Sequence, residues 1–110
     1  MTWHALMASA ELAEGQSREC QLEDTALFLV RHRGVVHAYR NRCPHLGIEL
    51  NWAPNRFLDL DKRFIQCSTH GALFKIQDGH CIAGPCQGEA LTALGCREGD
   101  GQIWVQDESI

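Results

Sequence analysis

Apolar and polar residues alternate along this chain in short runs, and Gly, Asp and Asn separate the runs. Residues 3–7, 18–22, 26–31 and 35–40 each carry the two-residue period or the dense apolar core of a strand. His32-Arg33-Gly34 lies between the last two and predicts a hairpin turn. Residues 8–14 predict one helical turn with Ser9 as its cap. Residues 56–60 and 63–66 predict a second hairpin about Asp61-Lys62. Residues 72–76 and 80–82 predict a third about Asp78-Gly79, ended by Gly84-Pro85. Residues 91–96 and 102–106 close the chain as strands across Gly99-Asp100-Gly101. No helical period is sustained and no repeat is present. The expectation is an all-β antiparallel sandwich or barrel.

Composition narrows the function classes. The 110 residues fit one domain, with 45% hydrophobic and 22% charged residues, as in an ordinary globular chain. The formal net charge of −4 argues against a nucleic-acid phosphate partner and mildly favours docking to a basic surface. Apolar runs such as residues 26–30 are too short to span a bilayer. Residues 1–10 hold no Lys or Arg and no long apolar block, so no export signal is read and the expectation is a cytoplasmic protein without a membrane partner. Six cysteines in such a chain are then expected as thiols rather than as a disulfide framework. Cys81 and Cys86 flank Gly84-Pro85 and remain an open alternative, because the turn can bring them together.

Two segments carry the chemistry. Cys43-Pro44-His45-Leu46-Gly47 and Cys67-Ser68-Thr69-His70-Gly71 each offer one thiol and one imidazole, followed by glycine. Thiolate and imidazole both suit late transition metals, and two such half-sites supply four ligands. Tetrahedral zinc accepts two Cys and two His, yet zinc-finger spacing groups the cysteines apart from a helical histidine pair. Here each segment mixes the two, so zinc has no sequence framework behind it. His4, His32, His37 and His80 have no partner thiol or carboxylate arranged around them and read as strand or surface residues. Trp3 and Trp104 read as core, Trp52 as packed beneath its loop, and Asp59 and Asp61 as an exposed hairpin end. No nucleophile–base set, phosphate loop or HExxH motif is present.

The unequal Cys-x-His and Cys-x-x-His spacing, with its matched glycines, resembles the Rieske iron–sulfur family. The run Gly71-Ala72-Leu73-Phe74 and the following Asp78-Gly79-His80-Cys81-Ile82-Ala83-Gly84-Pro85 are similar to that family's second ligand loop, hairpin and proline loop. The resemblance implies a β-sandwich base with a small cluster-binding subdomain, here about residues 41–86 of a single domain spanning 1–110. It implies one 2Fe-2S cluster, with Cys43 and Cys67 on the inner iron and His45 and His70 on the outer. Gly47 and Gly71 are then expected to let backbone approach the sulfides and offer N–H donors, and Pro85 to stiffen a third covering loop. The respiratory sub-type adds a cysteine to each ligand loop, where this chain has Ile48 and Thr69. That type also places serine and tyrosine hydroxyls on the cluster, where this chain has Ala72 and Phe74. Fewer donors to sulfur imply a potential near the lower end of the Rieske range, about −150 mV. Ser68 stands where many relatives have proline, which changes loop stiffness and adds an N–H.

The resemblance thus implies a one-electron carrier, a ferredoxin that takes electrons from a reductase and passes them to an oxygenase or other acceptor. No catalytic residues are assigned, and the chain is not expected to be an enzyme on its own. The alternatives are a redox or structural subunit of a larger oxidoreductase and a zinc-stabilised interaction module.

Overall fold

The computed structural model describes residues 2–44, 49–51, 53–67, 71–84, 86 and 88–106. Among them ten strands form three antiparallel sheets, in keeping with the all-β expectation. Strands β1 (Trp3–Ala8), β9 (Cys96–Gly99) and β10 (Gln102–Gln106) make one sheet in the order β1-β10-β9. Strands β2 (Ser17–Leu22), β3 (Thr25–His32), β4 (Val35–Arg40) and β8 (Ala93–Leu94) make the second, in that order. Strands β5 (Phe64–Gln66), β6 (Leu73–Lys75) and β7 (Cys81–Ala83) make the third. No helix among the described residues is long and apolar enough to cross a membrane.

The second sheet is the shared wall, and side-chain parity on β3 and β4 shows why. Successive strand residues point to opposite faces. Phe28, Val30 and Tyr39 enter one core cluster with Leu50, Phe57, Ile65, Phe74 and the buried cysteines. Leu27, Leu29, Val36 and Ala38 enter the other, with Ile103 and Val105 from β10. Strand β3 therefore reads as a continuous apolar run because both its faces are covered. The Phe28 ring stacks on Phe57, with centroids 4.3 Å apart, which ties the shared wall to the chain entering the third sheet.

The hairpin of β3 and β4 pairs His32 with Val35, so its turn is only Arg33-Gly34. Both residues have positive φ, 53° and 77°, as a two-residue type I′ turn requires. The Glu14 carboxylate accepts from both their N–H groups, at 2.6 and 2.8 Å. Asp100-Gly101 repeats the geometry between β9 and β10, with φ of 55° and 74°.

Four expectations are corrected. Ser9 does not cap the helical turn: Ser9–Glu11 is a single 3-10 turn capped by Ala8, whose N–H donates to Glu11 Oε2 at 3.2 Å. Residues 56–60 form no strand. Leu58 alone bridges Ile65, because the Asp59 carboxylate accepts from the N–H groups of Arg63 and Phe64 and turns the backbone early. Asp59, half-buried, and Asp61, exposed, lie at the turn as expected, and the Asp59 carboxylate holds it. Residues 91–96 are not one strand, since Gly95 separates β8 in the second sheet from β9 in the first. The Gly95 carbonyl accepts from Gln106 N at 2.8 Å, and a side chain at Gly95 would have to displace the Gln106 amide, whose Oε1 lies 2.8 Å from that position. Trp3 and Trp104 are only partly buried. The Arg97 guanidinium covers the Trp3 ring at 4.4 Å, and Trp104 Nε1 donates to Gly99 O at 3.0 Å. Trp52 lies outside the described residues.

Candidate metal centre

Cys43 stands three residues past the end of β4, and Cys67 directly follows β5. Both thiols are buried, at 1% and 0% exposure, in the same apolar cluster. His45 and His70, the other two candidates, lie outside the described residues. Among the described residues no three His, Cys, Asp or Glu gather as a metal-binding group.

The backbone around each thiol is held from both sides of its loop. Asn41, itself buried, accepts from the Leu50 N–H at 2.8 Å and donates to Asn51 Oδ1 at 2.9 Å. Asn51 in turn donates to Glu19 Oε2 at 2.9 Å and to Ala53 O at 3.1 Å. One side chain thus draws residues before Cys43 and residues after 48 together. Sequence reading missed Asn41, whose partners lie nine and ten residues away. On the second segment, Cys67 N donates to Ala72 O and Gly71 N donates to Cys67 O, both at 2.9 Å. The Gly71 N–H is engaged by Cys67 O. Its φ of +66° accounts for glycine at this position. Gly47 and Pro85 lie outside the described residues.

Ala72 and Phe74, which carry no hydroxyl, are fully buried in the cluster that holds both thiols. Gly84 presses directly on Ala72: a Cβ there would lie 2.8 Å from Ala72 Cα. The segment after β7 thus packs against the segment after Cys67.

That segment also brings Cys81 and Cys86 together. Cys86 Sγ donates to Cys81 Sγ at 2.8 Å, and Cys81 Sγ donates to Ala83 O at 3.2 Å. Burial pushes the Cys86 thiol up, with the neighbouring Cys81 adding to the effect and Cys43 contributing further. Among the described residues no disulfide is formed. Cys20 and Cys96 are half-buried hydrophobes packed on the other cluster, as expected. Of the non-ligand histidines, His37 is partly buried on β4, and desolvation lowers its pKa, whereas His80 is exposed beside Asp78.

Two buried thiols in one apolar cluster fit a metal better than they fit bulk thiolates. A buried thiolate is costly unless a cation compensates it, and a soft metal does so. The donor set is therefore compatible with a thiolate-held iron group.

The description "Rieske [2Fe-2S] domain" belongs to the family model that matches residues 2–98. Cholesterol 7-desaturase of Caenorhabditis elegans is 31% identical over 84 residues, which is 76% of this chain and 19% of that protein. The cytochrome b6-f complex iron-sulfur subunit of Chlorobaculum thiosulfatiphilum is 31% identical over 77 residues, 70% of this chain and 39% of that one. The chain thus spans well under half the length of these curated relatives. Among solved structures, the ferredoxin of carbazole 1,9a-dioxygenase from Nocardioides aromaticivorans IC177 superposes with a TM-score of 0.78 and 21% identity. That match covers 96% of this chain and 97% of that one. A chain in the complex of reduced oxygenase and oxidized ferredoxin in carbazole 1,9a-dioxygenase gives 0.78 and 22%, covering 96% and 94%. At those identities the two structures speak for the fold.

Proposed function

Because the chain belongs to the Rieske 2Fe-2S domain family, matched over residues 2–98, we propose that it is a one-electron carrier of the ferredoxin kind. A bound 2Fe-2S cluster supplies the one-electron chemistry. Cys43 and Cys67 would hold one iron through thiolates, and His45 and His70 the other through neutral imidazoles. The supporting observation is the burial of Cys43 and Cys67 in one apolar cluster. Residues 41–86 are the cluster-binding part of this reading. Within them Asn41, Ala72 and Gly84 would orient the two thiol segments.

The acceptor proposed is an oxygenase and the donor a reductase. The support is the likeness in fold to a chain in a solved complex of oxygenase and ferredoxin. The greater length of the curated relatives favours a second reading, a redox domain within a larger oxidoreductase.

The test is anaerobic purification, iron and sulfide analysis, and electron paramagnetic resonance of the dithionite-reduced protein. Two irons, two sulfides and a reducible signal are expected, and Cys43→Ser should lose all three. His45→Cys should lower the potential, since a thiolate replaces a neutral ligand. Colourless, iron-free protein that accepts no electron would sink the proposal. Turnover with an added reductase and oxygenase separates the carrier from the domain reading.

A further inference from the structure

We propose that Cys81 and Cys86 form a second redox site, a dithiol that a small-molecule disulfide such as oxidised glutathione converts to an intrachain disulfide. The two sulfurs stand 2.8 Å apart, within an ångström of the ~2.05 Å of a disulfide bond. The backbone carrying them is already closed on itself. Cys81 N donates to Glu89 O at 2.9 Å, and Glu89 N donates to Cys86 O at 3.0 Å. Neither cysteine belongs to the two Cys–His segments, so the iron chemistry leaves both unused.

The geometry also orders the steps. Cys81 is 8% exposed and Cys86 1%, which makes Cys81 the entry thiol. Cys81 loses its proton, and its sulfur attacks one sulfur of oxidised glutathione. That S–S bond breaks, and one glutathione leaves as the thiol after gaining a proton. Cys86 then loses its proton and attacks Cys81 Sγ in the mixed disulfide, releasing the second glutathione. Two protein thiols become one disulfide, and two electrons and two protons end on two glutathione molecules. The product bond spans residues 82–85 and fixes the segment in which Gly84 rests on Ala72.

The test uses anaerobically purified holoprotein, treated with oxidised glutathione, alkylated and digested with trypsin. Cleavage after Lys75 and Arg97 leaves Cys81, Cys86 and Cys96 on one peptide. That peptide should lose two hydrogens and carry a single alkyl group, on Cys96. Prior reduction with dithiothreitol should give three alkyl groups. Cys96→Ala should keep the closed peptide, and Cys86→Ala should leave glutathione on Cys81. Full alkylation of all three cysteines after oxidation would overturn the proposal, as would a bond mapped to Cys96 or to Cys43. The readout is a mass, so iron-free protein that still closes this bond would refute the carrier reading and support the dithiol site.

Discussion

Asn41 and Asn51 are joined side chain to side chain at 2.9 Å, with the whole first Cys–His segment between them in sequence. The same Asn41 accepts from the Leu50 N–H, which lies in a fully buried residue. This pair closes the loop from its base. Asn41→Ala removes two hydrogen bonds and leaves the Leu50 N–H without a partner. The expected cost is about 1–3 kcal/mol, read by denaturant titration. Iron should also leave faster to a chelator. Unchanged stability and unchanged iron loss would show that the loop is held elsewhere.

Gly84 and Gly88 form a matched test of the segment that packs on Ala72. Both have positive φ, +100° and +92°, so alanine strains the backbone at either position. Only at Gly84 does the new Cβ meet protein, 2.8 Å from Ala72 Cα and 3.0 Å from Ala72 Cβ. Gly88→Ala should therefore cost about 1 kcal/mol, and Gly84→Ala clearly more, by the 1–3 kcal/mol typical of overpacking, roughly. The excess should come with a shift in reduction potential, because Ala72 O is the acceptor for Cys67 N. Equal losses at the two glycines would mean that the contact with Ala72 is soft.

These contacts also mark what a sequence can and cannot disclose. Strands β3 and β4 were legible because a dense apolar run and a Gly-containing two-residue turn are local signals. The Cys–His segments were legible for the same reason, as residue types at fixed spacing. The misread positions depend on which polar groups pair in the fold. Gly95 leaves β8 with its carbonyl accepting from the distant Gln106 N–H, and residues 56–60 fall short of a strand where the Asp59 carboxylate takes the N–H groups of Arg63 and Phe64. Asn41 resembles any polar loop residue until Leu50 and Asn51 are placed beside it. The Cys81–Cys86 approach stood open in the sequence, and only the fold closed it to 2.8 Å.

Arg31 links the two sheets of the other core, and its partner gives a pH prediction. Its guanidinium meets Glu98 in a two-point contact, Nη1 to Oε1 at 3.0 Å and Nη2 to Oε2 at 2.8 Å. It also donates to the carbonyls of Leu12, Ser9 and Gly34. The Arg31 hydrogen bond holds the Glu98 carboxyl below its ordinary value of 4.5. A lowered folded pKa stabilises the fold above pH 4.5, and that contribution fades as pH falls through the folded value. Glu98→Gln should cost up to about 1 kcal/mol at neutral pH. It should also flatten part of the acid limb of stability against pH. An acid limb identical to the parent's would assign the acid sensitivity to other carboxylates.

Tyr39 is the chain's single tyrosine, so its ionisation can be followed without interference from another phenol. Its ring lies in the core against Phe28, with centroids 5.8 Å apart, and its hydroxyl donates to Ile76 O. Burial, reinforced by the nearby Asp78, pushes its pKa from 10.0 up to about 12. The folded value is the higher one, so the neutral phenol's contribution is complete below pH 10. From there it declines until the folded group itself ionises near 12, because the unfolded chain releases this proton first. Burial likewise raises the Cys96 thiol from 9.0 to about 12, adding to the alkaline loss whether or not Tyr39 is present. The Tyr39 share is therefore the difference between the parent and Tyr39→Phe. That variant should be less stable by about 0.5–1.5 kcal/mol at neutral pH, the worth of one hydrogen bond. The gap should narrow between pH 10 and 12 as the parent alone loses the benefit of its buried phenol. Phenolate absorbance should rise near pH 12 in the folded protein and near pH 10 in denaturant. A folded-state rise at pH 10 would place the hydroxyl in water and remove the anchor that ties β4 to Ile76.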